Sequence, residues 1–106
     1  MPDTKVKLTQ PIQGQKGPIT EVVIRQPRYG EVMKHGRPYE WHRGPGGLPL
    51  YVENNEALAA YAEACIVEPN DMAALEMAGT LDTLAIREAI CDFFRIKSVE
   101  VEASKN

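Results

Sequence analysis

The chain has few of the residues that mark a secreted, membrane or metal-binding protein. It contains two cysteines, two histidines and two phenylalanines among 106 residues. Its longest apolar stretch, LAAYAEACIV at 58–67, is interrupted by Glu63 and is too short to span a membrane. The start MPDTKVKLTQPI also lacks the apolar core of a secretory signal. We therefore expect a cytosolic protein without a membrane-spanning segment.

Sequence motifs for catalysis and for metal binding are also missing. No nucleophile and base, carboxylate pair or phosphate cradle has its usual spacing, and GPGG at 44–47 is better interpreted as a tight turn. Four residues offer zinc ligands, but without the closely spaced pairs of structural sites: His35, His42, Cys65 and Cys91. We expect buried, reduced thiols, no metal, no cofactor and no enzymatic activity.

Composition and charge predict one ordinary globular domain over residues 1–106. The chain is 43% hydrophobic and 25% charged, with a formal net charge of −3. Residues 1–48 carry eight Lys/Arg and four Asp/Glu, a balance of +4, whereas residues 49–106 carry four and eleven, a balance of −7. This asymmetry fits either a partner with a complementary distribution of charge or two faces whose charges only contact solvent.

Residues 5–27 predict an N-terminal two-stranded β-hairpin around the glycine-rich tip QGQKG at 13–17. We expect position i to pair with position 30 − i, which leaves at the tip Gly14 and Gly17, two residues that are able to adopt positive φ. Alternation then places four apolar side chains on one face: Val6, Leu8, Val22 and Ile24. Because a lone two-stranded ribbon is marginally stable in water, the rest of the chain must cover this face.

The second half of the chain is predicted to be helical. After a short helix near RYGEVMKHG, the three prolines and four glycines of 35–50 predict a loop. Over 54–95, helical periodicity and caps predict three helices: NEALAAYAEACIVE after Asn54 or Asn55, DMAALEM after Asn70, and LDTLAIREAICDFFR after Thr80. The tail KSVEVEASKN either adds a short strand through Val99 and Val101 or frays. The predicted fold is α+β, an N-terminal two-stranded β-hairpin followed by a bundle of three to four α-helices.

The last helix carries more apolar residues than packing against one neighbour requires. Its apolar set is Leu81, Leu84, Ala85, Ile86, Ala89, Ile90, Phe93 and Phe94. We therefore expect part of this helix to face a second surface.

Four segments carry a resemblance to a known family: VKLTQPI, ITEVVIRQPRYGEV, DMAALEM and IREAICDFF. Over about residues 5–95 the chain resembles the small tail assembly chaperones of Mu-like and related contractile-tailed phages, although 35–50 is longer than the corresponding link in that family. The resemblance implies a non-catalytic protein that binds the tape measure protein and helps recruit tail tube subunits. It also implies action in the host bacterial cytoplasm and absence from the mature virion.

Binding of an amphipathic helix requires spaced apolar anchors and a charged rim. The apolar residues that we expect to build such a groove and the core around it are Leu58, Tyr61, Leu75, Leu84, Ile90, Phe93 and Phe94. The candidate rim charges are Glu63, Glu76 and Glu88. Each apolar residue taken singly also fits plain core packing. We expect a compact monomer or a weak homo-oligomer.

Two other functions fit the same sequence. One is a small adaptor or regulatory protein-binding module with the same hairpin-and-helices plan, since fold does not determine function. The other is a single-stranded nucleic-acid binder using an aromatic and basic set: Arg25, Arg28, Arg37, Tyr39, Trp41 and Arg43. The acidic chain makes this second function less favourable.

Overall fold

The computed structural model describes residues 3–95, which form two antiparallel sheets and four helices. In chain order the elements are β1 (Thr4–Gly14), β2 (Gly17–Ile24), α1 (Tyr29–His35), β3 (Tyr39–Arg43), β4 (Pro49–Glu53), α2 (Asn55–Cys65), β5 (Ile66–Glu68), α3 (Met72–Leu75) and α4 (Thr80–Asp92). The α+β class and the N-terminal hairpin are confirmed. The helices do not form the predicted bundle, because strands separate them and α3 is a single turn. The predicted strand through Val99 and Val101 lies outside the described residues.

The tip of the first hairpin is tighter than predicted. Gly14 pairs with Gly17 across the two-residue turn Gln15–Lys16. Gly17 uses this freedom, with a φ of 123°, whereas Gly14 does not have a positive φ. A Cβ at Gly14 would lie 2.8 Å from Cδ1 of Ile19, so a larger residue there would require the Ile19 side chain to move. The space beside the strand, and not the backbone conformation, favours glycine at this position.

The register of the hairpin also differs from the prediction. Val6 lies opposite Val22, not Ile24, and the register shifts between Lys7 and Ile12. The predicted apolar face is nevertheless preserved, because a slip of two residues keeps each side chain on its own face. Val6 is partly buried, and the other three members of that face are buried: Leu8, Val22 and Ile24.

A third strand, β5, stands where the sequence predicted the end of a helix. The first long helix ends at Cys65, and Ile66 then pairs with Ile24 of β2. The N–H of Arg25 donates a hydrogen bond to the carbonyl of Cys65 at 2.8 Å, which fixes this crossing. The β-branched side chains of Ile66 and Val67 favour the extended conformation. As a result β2 is the central strand of the sheet β1-β2-β5.

The prediction of a loop at 35–50 is wrong, because most of this segment forms a second hairpin. β3 and β4 pair antiparallel, with Trp41 opposite Tyr51. The glycines and prolines are concentrated in the turn, a 3-10 segment at Pro45–Gly47 in which Gly46 has a φ of 72°. The tight turn predicted for GPGG is therefore confirmed, while the strands on either side were hidden by the abundance of turn residues.

The helix starts follow capping chemistry. As predicted, the Asn54 side chain caps α2, accepting a hydrogen bond from the N–H of Ala57 at 3.1 Å. For α3 the cap is Asp71, which accepts from the N–H of Ala74 at 3.1 Å, and not the predicted Asn70. The predicted N-cap of the last helix, Thr80, is one residue away from the observed one. Gly79 is the N-cap of α4, and Thr80 is its first residue.

The core lies between the first sheet and the helices α2 and α4, so the hairpin is covered by the same chain. Its principal members are Leu8, Val22, Ile24, Leu58, Tyr61, Ile86 and Ile90. Each helix contributes residues at i and i+3 or i+4 spacing, the arrangement that gives a helix one buried face. The two cysteines are buried, free thiols within this core, as predicted.

One buried carboxylate was not predicted. Asp82 in the first turn of α4 is only 3% exposed, and its oxygens accept hydrogen bonds from the N–H of Thr9 at 2.9 Å and from its hydroxyl at 3.1 Å. These hydrogen bonds lower the pKa of Asp82 because they favour the ionised form. Thr9 lies where the β1–β2 register shifts, so Asp82 binds α4 to the irregular part of β1.

Replacing Leu8 with alanine is expected to lower the free energy of unfolding by about 2–5 kcal/mol, because the change leaves a cavity beneath α4. The matched control is Leu81→Ala, since Leu81 is 72% exposed and Leu8 only 7%. The control should change stability by less than about 0.5 kcal/mol. Urea unfolding curves measure both effects. Equal losses for the two variants would show that the hairpin face is not packed as described.

Candidate functional site

An open apolar groove of about 220 Å³ lies between α2 and α4, with side chains of α3 along part of it. Its floor consists of Leu58, Ile86 and Ile90, which are 2%, 8% and 1% exposed. The walls are more accessible, since Ala59 is exposed and Met72 is 43% exposed. The groove therefore combines a buried apolar floor with a mouth that a partner can reach.

The groove follows from the spacing of residues on the two helices. On α2, Leu58 and Ala62 are four residues apart and share a face, as Ile86 and Ile90 do on α4. Ala59 and Ala62 have side chains too small to fill the space between the helices. Small residues on α2 thus leave open a channel that larger side chains would close.

A polar cluster lies beside the groove near the start of α2. The guanidinium of Arg87 pairs with the carboxylate of Glu53 and donates a hydrogen bond to Oδ1 of Asn55 at 2.8 Å. Arg87 and Asn55 also line the groove. The cluster joins α4 to the end of β4, and it supplies charged and polar groups next to the apolar floor. A partner in the groove would meet this cluster where the apolar surface ends.

The structure separates the predicted apolar site residues into two groups. Three of them line the groove: Leu58, Leu75 and Ile90. The other four do not line it: Tyr61, Leu84, Phe93 and Phe94. Tyr61 is fully buried, and its hydroxyl donates a hydrogen bond to the carbonyl of Gly36 at 2.6 Å.

Phe94 supports the core and not the groove. Its ring centroid lies 5.1 Å from that of Tyr61, and Phe93 is also packed against the core. Leu84 is 53% exposed on α4 and, with Leu81, belongs to a separate solvent-facing surface of that helix. Part of the long apolar set of α4 is therefore left uncovered by the described residues.

The three predicted rim glutamates are all exposed. Glu63 follows Ala59 by four residues on α2 and so flanks the mouth of the groove. Glu76 directly follows Leu75, while Glu88 pairs with Arg95 at the end of α4. Glu63 and Glu76 are thus the two better placed to meet a partner.

Several groove residues were not predicted as site residues: Ala59, Ala62, Met72, Ile86 and Arg87. Large apolar side chains attract notice in a sequence, whereas a groove depends on small residues beside them. The repeat of leucine and alanine at i, i+4 spacing on α2 is the sequence pattern that could have indicated the groove.

A larger concavity of about 720 Å³ lies near the turn of the first hairpin. Its lining mixes apolar side chains, such as Ile19 and Val67, with the charged side chains of Lys16, Glu68 and Asp71. The carboxylate of Asp71 is already engaged in capping α3. Because this concavity has no buried apolar floor, it is a weaker candidate for binding a protein than the groove.

The aromatic and basic residues considered for nucleic-acid binding are only partly available. Arg25 makes a bidentate pair with Glu31, at 2.9 and 2.6 Å, and also donates to the carbonyl of Ala64 at 2.9 Å. Tyr39 is 9% exposed and stacks on Tyr51, with ring centroids 5.3 Å apart. The remaining members of the set are exposed: Arg28, Arg37, Trp41 and Arg43. An exposed base-stacking platform is therefore reduced to Trp41.

Glu31 organises the segment between β2 and α2. Its carboxylate accepts hydrogen bonds from Arg25 and from the backbone N–H of Arg28 at 2.9 Å, where α1 begins. These interactions lower its pKa from 4.5 to about 2, with the Arg25 side chain as the largest cause. The pair thereby holds the end of β2, the start of α1 and the end of α2 together.

The surroundings of the two cysteines disfavour the thiolate form. Burial raises the pKa of both Cys65 and Cys91, which disfavours the reactive thiolate. Within residues 3–95, no cluster of three or more His, Cys, Asp or Glu side chains is arranged to hold a metal ion. In the same part of the chain, no helix is long and apolar enough to cross a membrane.

No protein-family model, curated protein or solved structure matches this chain.

The Arg25–Glu31 pair predicts a pH-dependent contribution to stability. Because the pKa of Glu31 falls from 4.5 to about 2, the contribution is complete above pH 4.5 and is lost as the pH falls toward 2. Glu31→Gln should lower the free energy of unfolding at neutral pH and have a diminishing effect across that acidic range. Urea unfolding at several pH values measures this dependence.

The exposed Glu56 provides the control, and Glu56→Gln should retain the wild-type pH dependence. The assigned role of the pair would be contradicted if the difference in free energy of unfolding between wild type and Glu31→Gln stayed constant as the pH falls from 4.5 toward 2.

Proposed function

We propose that this protein is a non-catalytic assembly chaperone that binds the apolar face of a partner helix in the groove between α2 and α4. The observation that carries the proposal is the buried apolar floor at Leu58 and Ile90, open to solvent between small side chains. A helix recognised in a groove inserts apolar side chains at i, i+3, i+4 and i+7 spacing. The groove offers such side chains an apolar surface already shaped by the fold.

The charges beside the groove favour a partner of a particular kind. Glu63 and Glu76 are exposed close to its walls, and the second half of the chain has an excess of acidic residues. A helix with Lys or Arg flanking its apolar face would be attracted to this rim. Arg87 is already paired with Glu53 and would contribute less free charge.

The resemblance to tail assembly chaperones supplies the proposed partner. In this proposal the partner is a phage tape measure protein, a long and largely helical chain that is present before the tail tube polymerises around it. Covering its apolar faces would keep the chain soluble, because large exposed apolar surfaces aggregate. Tail tube subunits would be recruited to the same complex, and the chaperone would leave before the particle is complete.

Co-production with the tape measure protein encoded in the same genome tests the proposal. The tagged protein should retain the tape measure chain, and Ala59→Glu should weaken retention about tenfold or more, a loss of about 1.4 kcal/mol. This variant places a charge at the mouth of the groove. The matched control is Ala85→Glu, which changes an exposed alanine of α4 away from the groove and should bind normally.

Absence of a complex, or equal loss in the two variants, would overturn the proposal. Retention of another defined protein with the same dependence on Ala59 would keep the groove as a binding site. Such a result would also mean that the partner is a protein other than the tape measure protein, as expected of an adaptor.

A further inference from the structure

Helix α1 presents an exposed apolar pair beside basic side chains. Tyr29 and Met33 are 80% and 68% exposed, and they share one face of the helix because they are four residues apart. Three exposed cations accompany them: Arg28, Lys34 and Arg37. We call these five residues the α1 surface. It has the apolar spacing and the flanking charges that the groove between α2 and α4 favours in a partner helix.

The charges of the α1 surface and of the groove rim are of opposite sign. Among the lysines and arginines of residues 3–95, those in ion pairs are Arg25, Arg87 and Arg95, so the cations of the α1 surface are not neutralised in this way. On α2, Glu56 and Glu63 are exposed and lie two turns apart, along the same side of the groove. Opposite charges on two surfaces favour their contact.

A second exposed apolar pair, on α4, is a poorer match for the groove. Leu81 and Leu84 are 72% and 53% exposed. The same side of α4 continues into the exposed carboxylates of Glu88 and Asp92, which pair with Arg95. This pair therefore carries no excess of positive charge to meet the acidic rim. Of the two exposed pairs, charge favours the one on α1.

The α1 surface cannot reach the groove of its own chain. The Tyr61 hydroxyl donates a hydrogen bond to the carbonyl of Gly36, just after α1, and Ala64 lies beside the same helix. At 3.6 residues per turn, the groove residues Ala59 and Ala62 lie about half a turn away from Tyr61 and Ala64. α1 and the groove are thus on opposite sides of α2. Contact between them has to join two copies of the chain.

We propose that the α1 surface of one copy occupies the groove of a second copy. Tyr29 and Met33 then cover the apolar floor, and the cations beside them face Glu56 and Glu63. The two surfaces in contact are different, so the interface is heterologous. Each pair of copies leaves one groove and one α1 surface unoccupied. The assembly therefore extends beyond two copies.

The inference rests on the groove being a helix-binding site, as in the proposed function, and it gives the groove an occupant in the absence of the partner. α1 has only seven residues and supplies two apolar anchors, whereas a longer helix supplies anchors at i, i+3, i+4 and i+7. The contact between copies should therefore be the weaker one, and a partner helix should displace it. Self-association would keep the apolar floor covered until then.

Sedimentation of the purified protein tests self-association without any partner. Between about 10 µM and about 1 mM, the protein should form dimers and then larger species, since a small interface binds weakly. Raising the salt concentration from about 50 mM to about 500 mM should reduce association by screening the exposed charges. A protein that stays monomeric over this concentration range, or that forms dimers and nothing larger, overturns the inference.

Two variants with complementary defects test the heterologous contact. Met33→Asp disables the α1 surface, and Ala59→Glu disables the mouth of the groove. Both residues are exposed, so each variant should remain folded by circular dichroism and be monomeric alone. Their mixture should form a 1:1 complex and nothing larger, because it contains one competent groove and one competent α1 surface per pair.

The matched control is Leu81→Asp, since Leu81 is 72% exposed and Met33 is 68% exposed. It should self-associate as the wild type does. Absence of a complex in the mixture, or self-association of either single variant alone, would overturn the inference. Loss of association in Leu81→Asp would also overturn it, by showing that the apolar pair of α4 is the surface in contact.

Retention of the tape measure protein separates this inference from the proposed function. Met33→Asp leaves the groove intact and should retain that chain at least as well as the wild type, whereas Ala59→Glu should lose both interactions. A monomeric wild type that still retains the tape measure chain would overturn the inference alone. Self-association without retention would support the inference and overturn the proposed function. Weaker retention by Met33→Asp than by the wild type would overturn the competition between the two occupants.

Discussion

The fold depends on burial of the apolar face of the β1–β2 hairpin beneath α2 and α4. A ribbon of two strands has little stability in water, and its apolar side chains gain free energy only when helices cover them. Two charged contacts define how the helices cover this face. Asp82 binds α4 to the irregular part of β1, and Arg25 with Glu31 connects the end of β2 to α1 and α2. Helix position therefore follows from apolar burial combined with a few specific polar contacts.

The groove is a consequence of the same arrangement. α2 and α4 use one face each to cover the sheet, and their adjoining flanks meet through small residues on α2. Ala59 and Ala62 leave space above a floor that belongs to the core, so binding in the groove and stability of the fold share Leu58 and Ile90. This sharing explains why changes at the exposed mouth are better probes of binding than changes at the floor.

The charge asymmetry of the chain is only partly available for binding. In the basic first half Arg25 is neutralised by Glu31, and in the acidic second half Arg87 and Arg95 are paired with acidic groups. The exposed glutamates beside the groove remain as the charges a partner would meet. In the second hairpin, the Tyr51 hydroxyl in the middle of β4 lies 3.7 Å from the Cys91 sulfur, which places β4 against α4.

The amino-acid sequence by itself determined the elements whose signals are local. Alternation at 5–27 gave the first hairpin and its apolar face, and helical periodicity with the Asn54 cap gave α2 and most of α4. Tertiary structure decided the strand β5, the register of β1, the ribbon β3–β4 and the groove. Short strands form where another strand edge is available, which propensity alone does not reveal. The contact of Asp82 with Thr9 spans 73 residues and that of Arg87 with Glu53 spans 34. Such pairs carry no local pattern, because their partners meet only after the chain has folded.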